Sequence, residues 1–518
     1  MFFAGKKTRF YLLSFLKHDF RSSITVFFVA LPLCLGISLA SGAPVYSGLV
    51  AGIIGGIVVS LLSKSPLSVS GPAAGLTAIC ATAIAETGGL EIFLLSVMIA
   101  GVIQIAAGLL KLGGFTHLIP TSVIKGMLAA IGLILISKQI PLLVGYNKPD
   151  FWTNELFNII TLDHAFEHID SLYHSSALGV ILVSACAFAV LIAWKSLLAE
   201  KLPFIPASFV TVLAGVFLTL AFAGNNSLAL QSAHLVNIPQ DIFSQIRFPD
   251  FSHVFSYAHT WKYAVIIAFV ASLETLLGLE AIDKLDPQNR ITPQNRELVA
   301  QGCGNFLSGM LGGLPITAVI VRASANAEAG ARTKLSSFTH GVWLLFALLI
   351  AIPVINLIPY CVLAVILVRT GYNLAKPRMF RQVYRQGREQ FLPFIVTIVS
   401  VLLTDLLIGL LIGFAFSVYF LVKHTYRAGY VIREESEGHH RKYVIELALN
   451  VSFLNKKKFR EVLDGIPPYS VVEINGSKSV YIDHDILEIF QEYRSKAHNR
   501  HIQLELKNIP EVEIIELH

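Results

Sequence analysis

Long apolar runs follow one another from residue 20 to residue 425, separated by short polar breaks. Inside the runs polarity does not alternate with period two, which excludes the strands of a β-barrel. A helix needs about 20 mostly apolar residues to cross a bilayer. Lipid also forces the backbone polar groups of a span to be satisfied within it. The pattern therefore predicts helical spans at 20–41, 45–63, 73–87, 90–110, 121–144, 176–198, 206–223, 261–281, 297–312, 321–332, 337–352, 357–374, 389–405 and 408–425. Those at 73–87 and 321–332 are too short to cross alone. The expected class is an all-α polytopic membrane protein of about 14 transmembrane segments.

Composition agrees. Of 518 residues, 54% are hydrophobic and only 14% charged, with a mean hydropathy of +0.65; soluble domains carry roughly 25% charge. The net charge of +6 does not point to nucleic acid, because the excess sits in short loops. Lys111 and Lys125, Lys195 and Lys201, Lys284, Arg290 and Arg296, and then Lys376, Arg378, Arg381, Arg385 and Arg388 all fall on one side of the predicted spans. With residues 1–19 as a cytoplasmic segment, that side is the inner one, as the positive-inside bias requires. Both termini are then expected in the cytoplasm, with the spans in a bacterial-type inner membrane. The basic start (Lys6, Lys7, Arg9, Lys17, Arg21) leads into a full span without a small-residue cleavage site, so it is not read as a signal peptide. Cys34, Cys80, Cys186, Cys303 and Cys361 lie in apolar runs without paired metal-ligand spacing. No nucleophile–base or metal set appears, so neither an enzyme nor a resident metal or cofactor is expected.

From about residue 430 the composition turns polar. Residues 426–442 read as a linker. Strand-like, helix-like, strand-like, helix-like and strand-like runs over 443–518 then predict a small α/β domain.

An internal repeat is legible. Leu49-Val50-Ala51-Gly52 aligns with Leu298-Val299-Ala300-Gln301, and at the same offset Leu62 falls on Leu311 and Pro66 on Pro315. The halves run over about 20–223 and 261–425. Each glycine-rich span leads into a proline-containing polar stretch and a short helix: Pro66 to Ala74 in one half, Pro315 to Arg322 in the other. Proline lacks an N–H and disfavours helix in the residue before it, so each stretch should be extended, with a helix starting partway through the membrane. The first N–H groups of such a helix have no internal partner and carry partial positive charge. Two such starts facing each other form an anion site. The candidate ligands are Ser70, Gly71, Ala73 and Ala74 in the first break and Thr317, Ala318, Val319 and Arg322 in the second. The competing explanation is that both breaks are packing kinks, which does not account for their matched positions.

Glu274 lies in the middle of its span. A carboxylate there is costly and is a functional candidate by default, able to hold a proton or Na⁺ in one conformation and release it in another. Neighbouring hydroxyls or a cation could instead satisfy it structurally. Arg322 either adds a planar donor fork to the anion site, or pairs with Glu274, or reaches water by snorkelling. Glu280 and Asp283 read as solvated helix ends, Glu86 as facing water, Asp405 as a turn residue and Gln104 as helix–helix glue.

These motifs together resemble the sulfate permease (SulP) family of anion transporters over nearly the whole chain. The resemblance rests on Ser272-Leu273-Glu274-Thr275, Asp283-Lys284-Leu285, Gly312-Gly313-Leu314-Pro315, Ala329-Gly330-Ala331-Arg332-Thr333 and Ser68-Val69-Ser70-Gly71-Pro72. It implies two inverted seven-segment repeats, with a core domain moving against a gate domain. It puts cation coupling on Glu274 and anion contact on Arg322, makes the tail a STAS-like domain, and implies a possible homodimer. Three departures stand out, the first at Glu274, where a sodium-coupled bicarbonate branch has aspartate. Pro32 is followed by Leu33 where many sulfate-type members have glutamine, and Asp483 is followed by His484 where relatives often carry a hydroxyl. The reading is a symporter of sulfate or bicarbonate driven by H⁺ or Na⁺, embedded in lipid. Two alternatives stay open: a passive anion channel or exchanger of the same fold, and a carboxylate or nucleobase transporter on the shared scaffold. No stacking aromatics occur at 66–74 or 315–322 for a flat ring substrate.

Overall fold

The computed structural model describes residues 16–114, 119–145, 177–194, 205–224, 228–239, 241, 246–251, 258–404, 406–427, 429–437 and 440–510. Most of the long loop at 145–175, Lys6, Lys7 and Arg9, Lys195 and Lys201, and Asp405 lie outside them. The chain divides into two compact units, Met1–Gly413 and Phe414–His518.

The helices follow the apolar pattern closely. They are α1 Leu16–Ala40, α2 Val45–Leu62, α3 Ala74–Glu86, α4 Leu90–Leu109, α5 Thr121–Val144, α6 Leu178–Ala193, α7 Ala207–Phe222, α8 Ala258–Asp283, α9 Gln294–Met310, α10 Ile320–Glu328, α11 Leu335–Ile350, α12 Tyr360–Leu374, α13 Arg388–Leu403 and α14 Leu406–Arg427. Prolines set several starts. Pro44, Pro120, Pro206, Pro293 and Pro359 stand immediately before α2, α5, α7, α9 and α12, where their restriction on the preceding residue marks the boundary. The second short span ends at Glu328, earlier than the apolar pattern suggests, because Gly330 adopts φ +89° and its turn closes back on Ala325, Asn326 and Ala327.

The inverted repeat shows in the packing. In the first unit α4 lies along α9 as α2 lies along α11; α8 packs on α4 as α1 packs on α11; α3 meets α8 as α10 meets α1. Close approach at the α4–α9 seam depends on glycine. A Cβ on Gly101 would fall 2.6 Å from the Gly302 carbonyl oxygen, and one on Gly302 would fall 2.7 Å from that of Gly101. Such small-residue contacts let membrane helices pack backbone to backbone. The basic stretch at 376–388 is not all loop, since Pro377–Arg385 is a short helix.

The second unit contains a four-stranded sheet in the order β3-β4-β6-β8, with β3 Tyr430–Glu437, β4 His440–Leu447, β6 Val471–Asn475 and β8 Gln503–Lys507. β3–β4 is antiparallel and the other pairings are parallel. A two-residue pair, β5 Asn450–Val451 with β7 Tyr481–Ile482, adds to it. Ile445, Val472 and Ile474 pack with Phe459 of helix α15 (Lys456–Gly465) and Phe490 of helix α16 (His484–Asn499). The polar stretch read as a linker thus supplies strand β3. It is an edge strand, where polar residues are the rule, so its sequence carries little strand signal. Asp483 caps α16, accepting from the Asp485 N–H at 3.2 Å.

Glu473 on β6 sits between Lys507 of β8 at 3.0 Å and Lys442 of β4 at 3.3 Å. The hydrogen bond from Lys507 holds its carboxyl below the usual carboxylate range. A depressed carboxyl stabilises the fold above its unfolded pKa of about 4.3 and loses that contribution as pH falls through the folded value. Glu473→Gln is therefore expected to speed amide exchange in β6 at pH 6 to 7 and to match wild type under strong acid. Identical exchange rates at neutral pH would show that the lysine pair contributes nothing.

Candidate functional site

The two proline-containing breaks meet. Ser70–Pro72 (β1) and Ile316–Ala318 (β2) form an antiparallel pair in which Ser70 faces Ala318 and Gly71 faces Thr317. The Val319 N–H reaches the Val69 carbonyl at 3.0 Å. This non-local pairing holds the starts of α3 and α10 together. Thr275 of α8 accepts from the Ala318 N–H at 3.2 Å, and Asn305 of α9 brackets Ile316, accepting from its N–H at 2.5 Å and donating to its carbonyl at 3.0 Å. Ser70, Gly71, Ala73, Thr317 and Ala318 are buried, while Ala74 and Val319 are half-buried. Ala73 and Ala74 enter α3, and Val319 is the residue preceding α10.

Arg322 is 0% exposed. Its Nη2 donates to Cys34 Sγ and to the Pro72 carbonyl, both at 3.4 Å, whereas Nε and Nη1 have no partner among the described residues. Gly71 makes room for it, since a Cβ there would fall 2.0 Å from Nη1. Arg322 is thus neither snorkelling nor paired with Glu274. A buried guanidinium without a carboxylate carries an uncompensated charge, costing several kcal/mol. Thr317 Oγ1 also has no partner among the described residues.

Glu274 projects from α8 onto the first turn of α3. Its Oε2 is buried without a hydrogen bond among the described residues, and a Cβ on Gly75 would come within 2.9 Å of it. The carboxyl therefore stands at one half-helix start and the Arg322 guanidinium on the strand leading into it. A cavity of about 340 Å³ reaches this turn, lined by Gly75, Thr77, Thr82, Ile134 and Val401, with Glu86 and Lys262 at the opposite end of α3. Lys262 donates to Glu86 at 3.1 Å.

Several buried polar residues escaped the reading of isolated charges. Glu297, Gln301, Asn305 and Ser308 are all 0% exposed. Their i, i+4, i+8, i+11 spacing places them on one face of α9, a signal present in the sequence. Gln104 bridges Ser272 at 3.1 Å and Asn305 at 2.7 Å, joining α4, α8 and α9. Asp19 is also fully buried, accepting from the N–H groups of Arg332 and Thr333 at the entry to α11. Asp283 is not merely a solvated end, since it accepts from the N–H and hydroxyl of Thr292 at 2.8 and 2.7 Å. Among the described residues no cluster of three or more His, Cys, Asp or Glu could hold a metal.

The family model described as "Sulfate permease family" matches residues 16–397. A putative sulfate transporter, YvdB of Bacillus subtilis, is 26% identical over 411 residues, covering 78% of this chain and 73% of its own. The bicarbonate transporter BicA of Synechocystis is 26% identical over 397 residues, covering 75% and 67%. Among solved structures, the transmembrane domain of a cyanobacterial BicA matches with TM-score 0.65 at 25% identity, covering 77% of this chain and 97% of that one. Murine Slc26a9, an anion transporter captured in an inward-facing state, matches with TM-score 0.77 at 18% identity over 98% and 90%. That second likeness shows the fold, including its C-terminal α/β domain.

Proposed function

Because the chain belongs to the sulfate permease family, we propose that it is a secondary active transporter of a small inorganic anion, sulfate or bicarbonate, coupled to H⁺ or Na⁺ through Glu274. The observation that carries this reading is the β1–β2 pair. It holds two half-helix starts beside a buried guanidinium whose Nε and Nη1 are unpartnered. Helix N-termini favour anions through oriented N–H groups and dipoles. Arg322 supplies a full charge and a planar donor fork.

Glu274 sets the coupling. Ionised, it stands as a negative charge at the very turn of α3 that attracts the anion. A bound proton or Na⁺ removes that repulsion, so cation and anion bind together. Movement of the core helices against the others then exposes both ligands to the opposite side. The same reading places the termini in the cytoplasm of an inner-membrane protein, takes 443–518 as a STAS-like domain, and takes a homodimer as the assembly.

Reconstitution tests it. Purified protein in liposomes is given labelled sulfate or labelled bicarbonate under a proton gradient or a sodium gradient, each imposed alone. Concentrative uptake of one anion under one gradient is expected. Equilibration to the same level with and without either gradient would instead make the protein a passive conductor.

A further inference from the structure

Glu297 is a second buried carboxyl, on a different helix from Glu274, and the transport cycle above gives it no task. It lies in the first turn of α9 and is 0% exposed. Its Oε2 accepts from the Ser63 hydroxyl, at the end of α2, and its Oε1 accepts from Gln301 Nε2 at 3.0 Å. The same Nε2 donates to Ser70 Oγ at 2.7 Å, while Gln301 Oε1 has no partner among the described residues. A continuous hydrogen-bonded chain, Ser63–Glu297–Gln301–Ser70, therefore joins the basic end of the membrane unit to strand β1.

We infer that Glu297 is a proton-binding positioning residue whose charge state the anion site reads through Gln301 and Ser70. The inference rests on the anion binding beside β1. Hydrogen counting gives the mechanism. An ionised carboxylate only accepts, so it fixes Gln301 with its amine toward Glu297. The second hydrogen of that amine goes to Ser70, which must accept. The hydroxyl hydrogen of Ser70 is then left to donate to an anion. A proton on Glu297 makes it a donor and turns the amide over. Gln301 Oε1 then accepts from Glu297 and from Ser70 together. The hydroxyl hydrogen of Ser70 is consumed, and the oxygen it leaves toward the site repels an anion. Protonation of Glu297 thus weakens anion binding, opposite in sign to cation binding at Glu274.

The charged surroundings suit a group that changes state. Lys334, at the entry to α11, donates to the Leu61 and Ser63 carbonyls at 2.9 and 3.2 Å and acts on Glu297 through space. Asp283, from the end of α8, acts with opposite sign. Arg296 on α9 donates to the Leu62 carbonyl at 3.1 Å. α4, packed along α9, carries one charged residue, Glu91, at its far end, with Lys111 just past its near end. No cation pairs directly with Glu297 among the described residues. The protonating side is the one the positive-inside bias assigns to the cytoplasm.

The test measures labelled sulfate efflux (labelled bicarbonate in a parallel arm) from proteoliposomes of the full chain, varying lumenal pH under right-side-out reconstitution at fixed external pH. In the wild type the lumenal KM should rise as lumenal pH falls, by up to about tenfold per pH unit, the limit for one linked proton. Glu297→Gln should remove this rise and leave the opposite lumenal dependence that Glu274 gives when H⁺ is the coupled cation, because a proton bound there favours the anion. Ser70→Ala should remove the rise too, because no hydroxyl remains to turn, and it serves if the Glu297 variant does not assemble. A wild-type lumenal KM profile in either variant overturns the inference and leaves coupling through Glu274 standing. Absence of transport of both anions by the wild type takes down the transport reading and this inference together.

Discussion

Glu274→Gln is expected to move the anion across the membrane but never uphill. For one-to-one coupling, a tenfold proton or sodium gradient supports up to about a tenfold anion gradient, since each decade is about 1.4 kcal/mol. The variant should reach a ratio of one, while exchange of labelled for unlabelled anion continues. Glutamine keeps the shape of the neutral acid over Gly75 but has no charge to be neutralised. In the native protein, two unit negative charges about 5 Å apart at an effective dielectric of about 20 repel by about 3 kcal/mol. That is about a hundredfold in anion affinity, enough to make binding conditional on the cation. Uptake that remains fully concentrative in the variant would remove Glu274 as the coupling residue. Loss of exchange as well as accumulation would assign the carboxyl to the anion site itself.

What the chain discloses locally, it discloses well. Apolar runs and prolines are local signals, and α2, α4, α5 and α12 lie within a few residues of the expected spans. The half-helix starts were legible for the same reason, since Pro66, Pro72 and Pro315 restrict their own neighbours. The pairing of β1 with β2 was not, because three-residue strands far apart in sequence have no pattern to read. Arg322 shows the difference. Its position in the second break was evident, but setting aside Glu274 and solvent as its partners required its neighbours, Cys34 and Pro72, to be placed. Glu297, the first residue of an expected span, carries no local sign of burial. Only the face it shares with Gln301 and Asn305 reveals that it points inward. β3 was hidden because an edge strand with polar residues resembles a linker. Asp19 was hidden because its partners, Arg332 and Thr333, belong to the other repeat.

Arg322→Leu separates function from folding more sharply than any other change at this site. Removing one partner of a buried charge interaction costs about 2–5 kcal/mol of binding, or roughly 30- to 3000-fold in anion affinity at 1.4 kcal/mol per decade. The half-helix N–H groups would remain, so weak binding at high anion concentration is expected rather than none. Stability should move the other way. Arg322 has no carboxylate partner among the described residues, and its hydrogen bonds to Cys34 and Pro72 are long at 3.4 Å. Exchanging a buried, poorly satisfied charge for an apolar side chain of similar volume is often neutral or stabilising. The variant should therefore melt at or above the wild-type temperature in the absence of anion. It should also lose most of the stabilisation that added anion gives the wild type, which scales as RT ln(1 + [L]/Kd). Arg322→Lys keeps the charge without the planar fork and should fall between the two in affinity. A leucine variant that unfolds, or that melts normally and transports with wild-type KM, would make Arg322 a packing element and return the anion site to the backbone N–H groups of α3 and α10 alone.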